Sequence, residues 1–197
     1  GVPVVGGDLS SAPAGVLVVS ATALGECEGR APVRRSGAEV GDVLAVTGSL
    51  GRSAAGLLLL QRGEVGLAPE LVNYHRRPRP PYEQGPAAAR AGATAMLDIS
   101  DGLGRDAGRL ARASGVGIAL DEMRLADDVA QLQRVVTEAD AWRSVVEGGE
   151  EHSLLATFPS GTELPRGWRM IGRVVAGSGV TLRGEPVLGG GWDHFGG

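Results

Sequence analysis

Apolar residues follow two rhythms along this chain. Short runs rich in β-branched residues have the length and composition of strands: "VLVVSATAL" (16–24), "VLAVTG" (43–48), "ATAMLDIS" (93–100), "VGIALD" (116–121), "HSLLATF" (152–158) and "WRMIGRVV" (168–175). The opening "GVPVVGGD" reads as a further strand already under way. Between them lie helix-like stretches. "SLGRSAAGLLLLQRG" (49–63) predicts a helix, with Ser49 or Ser53 as its cap and Gly63 as its stop. "HRRPRPPYEQG" (75–85) reads as a proline-rich turn, and "PAAARAG" (86–92) as a short helix with proline in its first turn. "DGLGRDAGRLARASG" (101–115) puts Leu103, Ala107, Leu110 and Ala111 on one helical face, with Gly115 ending it. A further helical stretch runs through 127–147, and a glycine-rich tail, "GGGWDHFGG", closes the chain. This mixture predicts an α+β domain, a mixed sheet with helices on one side. No internal repeat is present.

Composition narrows the picture. At 197 residues the chain holds one substantial domain, or one domain and a piece of another. With 33 glycines and 4% aromatics, the core must come mainly from Ala, Val and Leu. Every basic side chain apart from histidine is arginine; there is no lysine. A net charge of −4 argues against a general nucleic-acid binder, which needs a basic face. The single Cys27 forms no internal disulfide, and no Cys/His cluster suggests zinc. The apolar runs are too short to span a membrane, so a soluble cytoplasmic protein is expected. The absence of an initiator methionine before a strand under way reads as a fragment of a longer chain.

The chemistry concentrates where strands stop. "MLDISDGLGRD" (96–106) sets Asp98 and Asp101 around Ser100 at a strand-to-helix junction. Asp101 occupies the place of a helix N-cap, for which aspartate is well suited. Capping does not account for Asp98, whose carboxylate ends an apolar strand, where burial without a partner is costly. Two such carboxylates, a hydroxyl and a helix N-terminus can together hold Mg²⁺ and a phosphate oxygen. "GGD" (6–8) has the same form, with a capping turn as the plainer reading. "GSLGRSAAG" lacks the Gly-Lys-Ser/Thr ending of a Walker phosphate loop. "EGGEEH" (147–152) offers Glu150 and Glu151 either as a solvated turn or as a carboxylate pair for a cationic substrate. Arg34 and Arg35 are surface charge or phosphate ligands, and arginine's planar fork suits the second role. Trp192 and Phe195 either cover a sheet edge or stack on a flat heterocycle.

In order and spacing, "GGD" (6–8), "RRSGAEVGDVLAVTGSLGRSAAGL" (34–57), "HRRPRPPYEQG", "MLDISDGLGRD", "GGEEH" (148–152) and the closing "GWDHFG" resemble the thiamine-monophosphate kinase family. That family belongs to the aminoimidazole ribonucleotide synthetase-like superfamily, and the Arg- and Ala-rich composition is similar to its actinobacterial members. The resemblance implies Mg²⁺-assisted transfer of the γ-phosphate of ATP onto thiamine monophosphate, by a cytoplasmic homodimer. It implies that Gly7, Asp8, Arg35 and Ser100 contact ATP, that Asp8, Asp98 and Asp101 hold Mg²⁺, and that Glu150 and Trp192 line the thiamine pocket. No residue is assigned as a nucleophile; positioning and metal charge carry the transfer. Glu151 departs from the family's Gly-Gly-Glu-Asp by one methylene. The amino-terminal half of the family pattern is absent, so residues 1–30 are expected to be a remnant of that domain and 31–197 the carboxy-terminal α+β domain. The rival expectations are another ATP-using member of the superfamily, or a binding module that keeps the fold without the chemistry. By itself the chain is expected to be inactive.

Overall fold

The computed structural model describes residues 2–187, which fall into two units divided between Ala31 and Pro32. In the first unit, the strands expected at 2–8 and 16–24 do not form; the backbone makes only turns and stays exposed. Val16–Val19 are solvent-exposed, Val18 at 78%. A strand needs a neighbour to take up its N–H and C=O groups, and no described residue pairs with these segments.

From Pro32 onward the alternating pattern does find partners. The elements in chain order are β1 (Val43–Thr47), α1 (Arg52–Arg62), α2 (Pro69–Arg76), α3 (Gln84–Arg90), β2 (Ala95–Asp98) and α4 (Leu103–Ser114). There follow β3 (Gly117–Leu120), α5 (Glu122–Leu132), α6 (Glu138–Glu147), β4 (Leu154–Phe158), β5 (Trp168–Val175), β6 (Gly179–Leu182) and β7 (Glu185–Pro186). One seven-stranded sheet runs in the order β2-β4-β1-β5-β3-β6-β7. Every neighbouring pair is antiparallel except β3 and β6.

The strand period of two decides what each face carries. Leu44, Val46, Leu155 and Ile171 point into the larger core, which they share with Leu59 of α1, Val72 of α2, Leu103 and Leu110 of α4, Leu125 of α5 and Val145 of α6. Ala45, Ala156 and Phe158 point the other way, where Ala88 of α3 and Trp168 complete a smaller cluster. The helices therefore gather on one side as expected, and among the described helices the short α3 alone covers the other. Phe158 and Trp168 meet edge to face, with ring centroids 5.4 Å apart.

Several boundaries differ from the sequence reading. Neither Ser49 nor Ser53 caps α1; Gly51 holds the N-cap position in a left-handed conformation, with no side-chain bond of its own. The Glu151 carboxylate does the capping from a distant loop, accepting from the Ser53 N–H at 3.0 Å. The stretch 127–147 is two helices, because Asp121 and Thr137 each cap a separate start. Helix α2 occupies residues ahead of the proline-rich turn where no element was expected, and two short strands, β6 and β7, precede the tail.

Candidate active site

Strand β2 ends at Asp98, and the chain turns through Ile99, Ser100 and Asp101 into α4. A second segment, 150–153, lies along this turn. Ile99 N–H donates to the Ser153 carbonyl, His152 N–H to that of Ile99, and Glu150 N–H to that of Ser100, each at 2.8 Å. Two acidic motifs fifty residues apart in sequence are thereby stitched together. Gly149 permits the approach: a Cβ there would stand 2.5 Å from the Ser100 carbonyl oxygen. Glu150 and His152 take left-handed φ values of 58° and 53°, a conformation costly for residues with side chains and concentrated at functional sites. His152 bridges the motifs, with Nδ1 3.5 Å from Asp98 and Nε2 3.3 Å from Glu150.

Asp101 does not cap α4. Gly102 holds the N-cap position at φ 118°, without a side-chain bond, and Asp106, inside the first turn, braces the residues before the cap. Asp106 folds back to accept from the N–H groups of Ser100 (3.0 Å) and Asp101 (2.9 Å). Arg109 joins Asp106 at 2.7 Å and also pairs with Asp101. Burial pushes the Asp106 carboxyl above its ordinary range, against the pull of these hydrogen bonds and of Arg109. Arg109 is raised in turn, chiefly by its bond to Asp101. The argument from burial fails for Asp98, whose side chain is 53% exposed and so carries little desolvation cost.

The other expected residues differ in where the fold puts them. Arg35 is exposed, and its carbonyl accepts from Ser114 at 3.5 Å. Ser114 ends the 12-residue helix α4, whose first turn adjoins Asp101. The neighbouring Arg34 carbonyl accepts from the Met96 N–H at 2.7 Å, so the segment carrying Arg35 runs beside β2, the strand that ends at Asp98. Gly7 and Asp8 belong to the first unit, where Ser10 donates to Asp8 at 3.4 Å. Trp192 lies outside the described residues. Glu150 is exposed beside the turn, whereas Glu151 is 1% exposed and turned inward. Burial raises the Glu151 carboxyl to about 7, opposed by the N–H groups it caps and by Arg52. Its Oε1 has no hydrogen-bond partner among the described residues.

Among the described residues, no group of three or more acidic, His or Cys side chains is gathered to hold a metal. Mg²⁺ is commonly held by one or two carboxylates, with water and substrate phosphate in the other positions. The carboxylate here that could take such a part is that of Asp98, exposed at the strand end, with Asp101, paired to Arg109, beside it.

Beside the turn opens a cleft of about 910 Å³ that sequence reasoning missed. Arg52, Arg76, Arg77, Arg79, Glu70 and Tyr74 are among its walls. Ser153 also lines it, and this is the residue bonded to Ile99, so cleft and turn share a border. The loop before α1 is pinned there: Asp128 accepts from Leu50 N–H at 3.1 Å, and Arg169 donates to the Gly48 carbonyl at 3.0 Å. Three arginines in "HRRPRPP" were the available signal, hidden because the stretch reads first as a turn.

The fold and its loops define an α+β domain that presents acidic and basic groups together at one end of a mixed sheet. Residues 39–185 match the family "AIR synthase related protein, C-terminal domain", and the chain belongs to it. The chain is 49% identical over 200 residues to the thiamine-monophosphate kinase of Mycobacterium tuberculosis (strain ATCC 25618 / H37Rv), covering 100% of this chain and 59% of that protein. For the Corynebacterium glutamicum thiamine-monophosphate kinase the values are 38% over 201 residues, 97% and 60%. The chain thus spans about three-fifths of the length of these curated relatives. Among solved structures, "AaThiL complexed with AMPPCP and TMP" superposes with a TM-score of 0.72 at 34% identity, over 83% of this chain and 54% of that one. Escherichia coli HypE, a hydrogenase maturation protein, gives a TM-score of 0.51 at 21% identity, over 82% and 52%, a likeness of fold alone.

Proposed function

We propose that this chain serves in the ATP-dependent phosphorylation of thiamine monophosphate to thiamine diphosphate. The observation that carries the reading is the stitched pair of acidic motifs, lying within a stretch 49% identical to a protein named thiamine-monophosphate kinase. In the reaction, a phosphate oxygen of thiamine monophosphate bonds to the γ-phosphorus of ATP, the bond to the bridging oxygen breaks, and ADP leaves with those electrons. Little covalent work falls to the protein; positioning and charge stabilisation dominate. Asp98 and Asp101, with Asp8, would hold Mg²⁺, which supplies positive charge to the phosphate oxygens when bound. The Asp106–Arg109 clamp fixes the backbone of Ser100 and Asp101, where ATP contact is proposed. Glu150, exposed and charged, suits the cationic thiamine, and the proposal keeps Trp192 as its stacking partner. Arg35, on the segment that runs beside β2, would contact the nucleotide phosphates, and a homodimer belongs to the same proposal. Cytoplasmic location follows from substrates of this kind and belongs to the same proposal.

The test is a γ-phosphate label chase with the full-length protein. Label should appear in thiamine diphosphate and only with Mg²⁺ present. Label released as inorganic phosphate, or transfer undiminished in excess chelator, would sink the reading. The 197-residue chain alone is expected to give no measurable turnover in that assay.

A further inference from the structure

The chemistry of the cleft follows from an imbalance: four arginines face the single carboxylate of Glu70, in a chain of net charge −4. Arg52 is engaged, its guanidinium 4.4 Å above the Tyr74 ring. Arg76, Arg77 and Arg79 are exposed, and no carboxylate among the described residues pairs with them. Arg76, in the last turn of α2, is favoured there by the helix dipole. That reason does not extend to Arg79, beyond the helix. Pro78, Pro80 and Pro81 fix φ on either side of it, so the segment spends little entropy in holding its arginines toward the cleft. Unpaired cations on a stiffened segment repel one another, a cost offset when an anion arrives. The volume lies within the usual range of small-molecule sites, roughly 300–1,000 Å³.

We propose that this cleft binds the linked phosphates of a small organic phosphate, with Arg76, Arg77 and Arg79 as the anchoring cations. Two linked phosphates bring about three to four negative charges, which match the surplus of three positive ones (four arginines less one carboxylate). Arginine forks also fit phosphate oxygens two at a time. The identity of the organic part rests on the functional reading above; the anion chemistry does not. With the acidic turn on its border, the cleft becomes the half of the site that holds phosphate without metal.

Calorimetric titration of this 197-residue chain with inorganic tripolyphosphate, in low salt with excess chelator, tests the proposal. Saturable binding is expected, weakened about tenfold or more in the triple variant R76Q/R77Q/R79Q and progressively by added salt. R79Q alone, outside any helix, keeps the result readable if the triple variant does not fold, and should weaken binding about threefold. No binding by the parent chain overturns the proposal, as does binding unaltered in both arginine variants. Tripolyphosphate binding that survives while the label chase finds no thiamine diphosphate would sink the kinase reading and leave this one standing.

Discussion

The acidic turn and the arginine cleft border each other and are built in opposite ways. At the turn, polar groups are spoken for: Asp106 takes up two N–H groups, Arg109 ties two carboxylates, and three backbone bonds join the motifs. In the cleft, the cations on 76–79 stand exposed, held by stiff backbone rather than by partners. The turn invests folding energy in position, as a site that orients small groups must. The cleft keeps its charge unspent and answers to whatever anion enters. Changes at the turn should therefore cost stability first, and changes in the cleft should cost binding first.

The largest effect is expected at Asp106. Replacing it with alanine strands the N–H groups of Ser100 and Asp101 and leaves Arg109 with one partner fewer. Losing one member of a buried, hydrogen-bonded pair costs about 3–5 kcal/mol. Urea denaturation should show that loss, and D106N, which keeps an acceptor, should recover part of it. A loss under about 1 kcal/mol, within the ordinary spread of point mutants, would mean the turn holds its shape without the clamp.

Gly149→Ala comes next. Its Cβ would meet the Ser100 carbonyl at 2.5 Å, backbone that cannot swing aside, so the motifs must part. Crowding of this kind costs about 1–3 kcal/mol. A crystal structure of the variant should show the bond from Glu150 N–H to Ser100 lengthened; an unchanged bond would show that the approach has room to spare.

How much of this was legible in the sequence differs between the two regions. Leu103, Ala107 and Leu110 announced α4 by their spacing, and all three are buried. Asp98, Ser100, Asp101 and Glu150 stood out as chemistry-bearing, and the fold does bring them together. The cap reading of Asp101 fails because Gly102 takes the N-cap place, and Asp106 reaches back from within the first turn to hold the N–H groups of Ser100 and Asp101. Glu150 and Glu151 look alike on paper. Left-handed φ values at 150 and 152 break the alternation and send one side chain out and the other into the core. The cleft was invisible for another reason. It needs α1, α2 and the 153 loop side by side, and α2 is an eight-residue helix whose own pattern is too short to read.

Glu151 gives a pH-dependent test of that inward turn. Its carboxyl is raised from 4.5 to about 7 in the fold, so the folded state prefers it neutral. Below pH 4.5 the group is neutral in both states and costs nothing. As pH rises toward 7 the unfolded chain ionises first, and stability falls; above 7 the loss is constant. E151Q stays neutral and can still accept from Ser53, so its advantage over the parent should grow across that window. At pH 8 it should reach roughly 1–3 kcal/mol, the range allowed by such a shift, and near pH 4.5 it should vanish. Paired denaturation curves at the two pH values decide it; an advantage independent of pH would place the carboxylate in contact with water.

The smallest stability effect is expected in the cleft. Arg76, Arg77 and Arg79 are exposed and have no carboxylate partner among the described residues, so R76Q/R77Q/R79Q removes no ion pair seen there and opens no cavity. Arg76 leaves the last turn of α2, where a cation contributes about 0.3–1 kcal/mol at low salt. Against that, three like charges on four consecutive positions no longer repel. The two terms oppose each other, and surface changes of this kind usually stay within about 0.5 kcal/mol. Melting curves in low salt should nearly coincide, and adding salt should stabilise the parent more than the variant, since screening relieves a repulsion that only the parent has. A variant less stable by 2 kcal/mol or more, well beyond that surface range, would mean the arginines hold the structure together, and the contrast between a built turn and an unspent cleft would be lost.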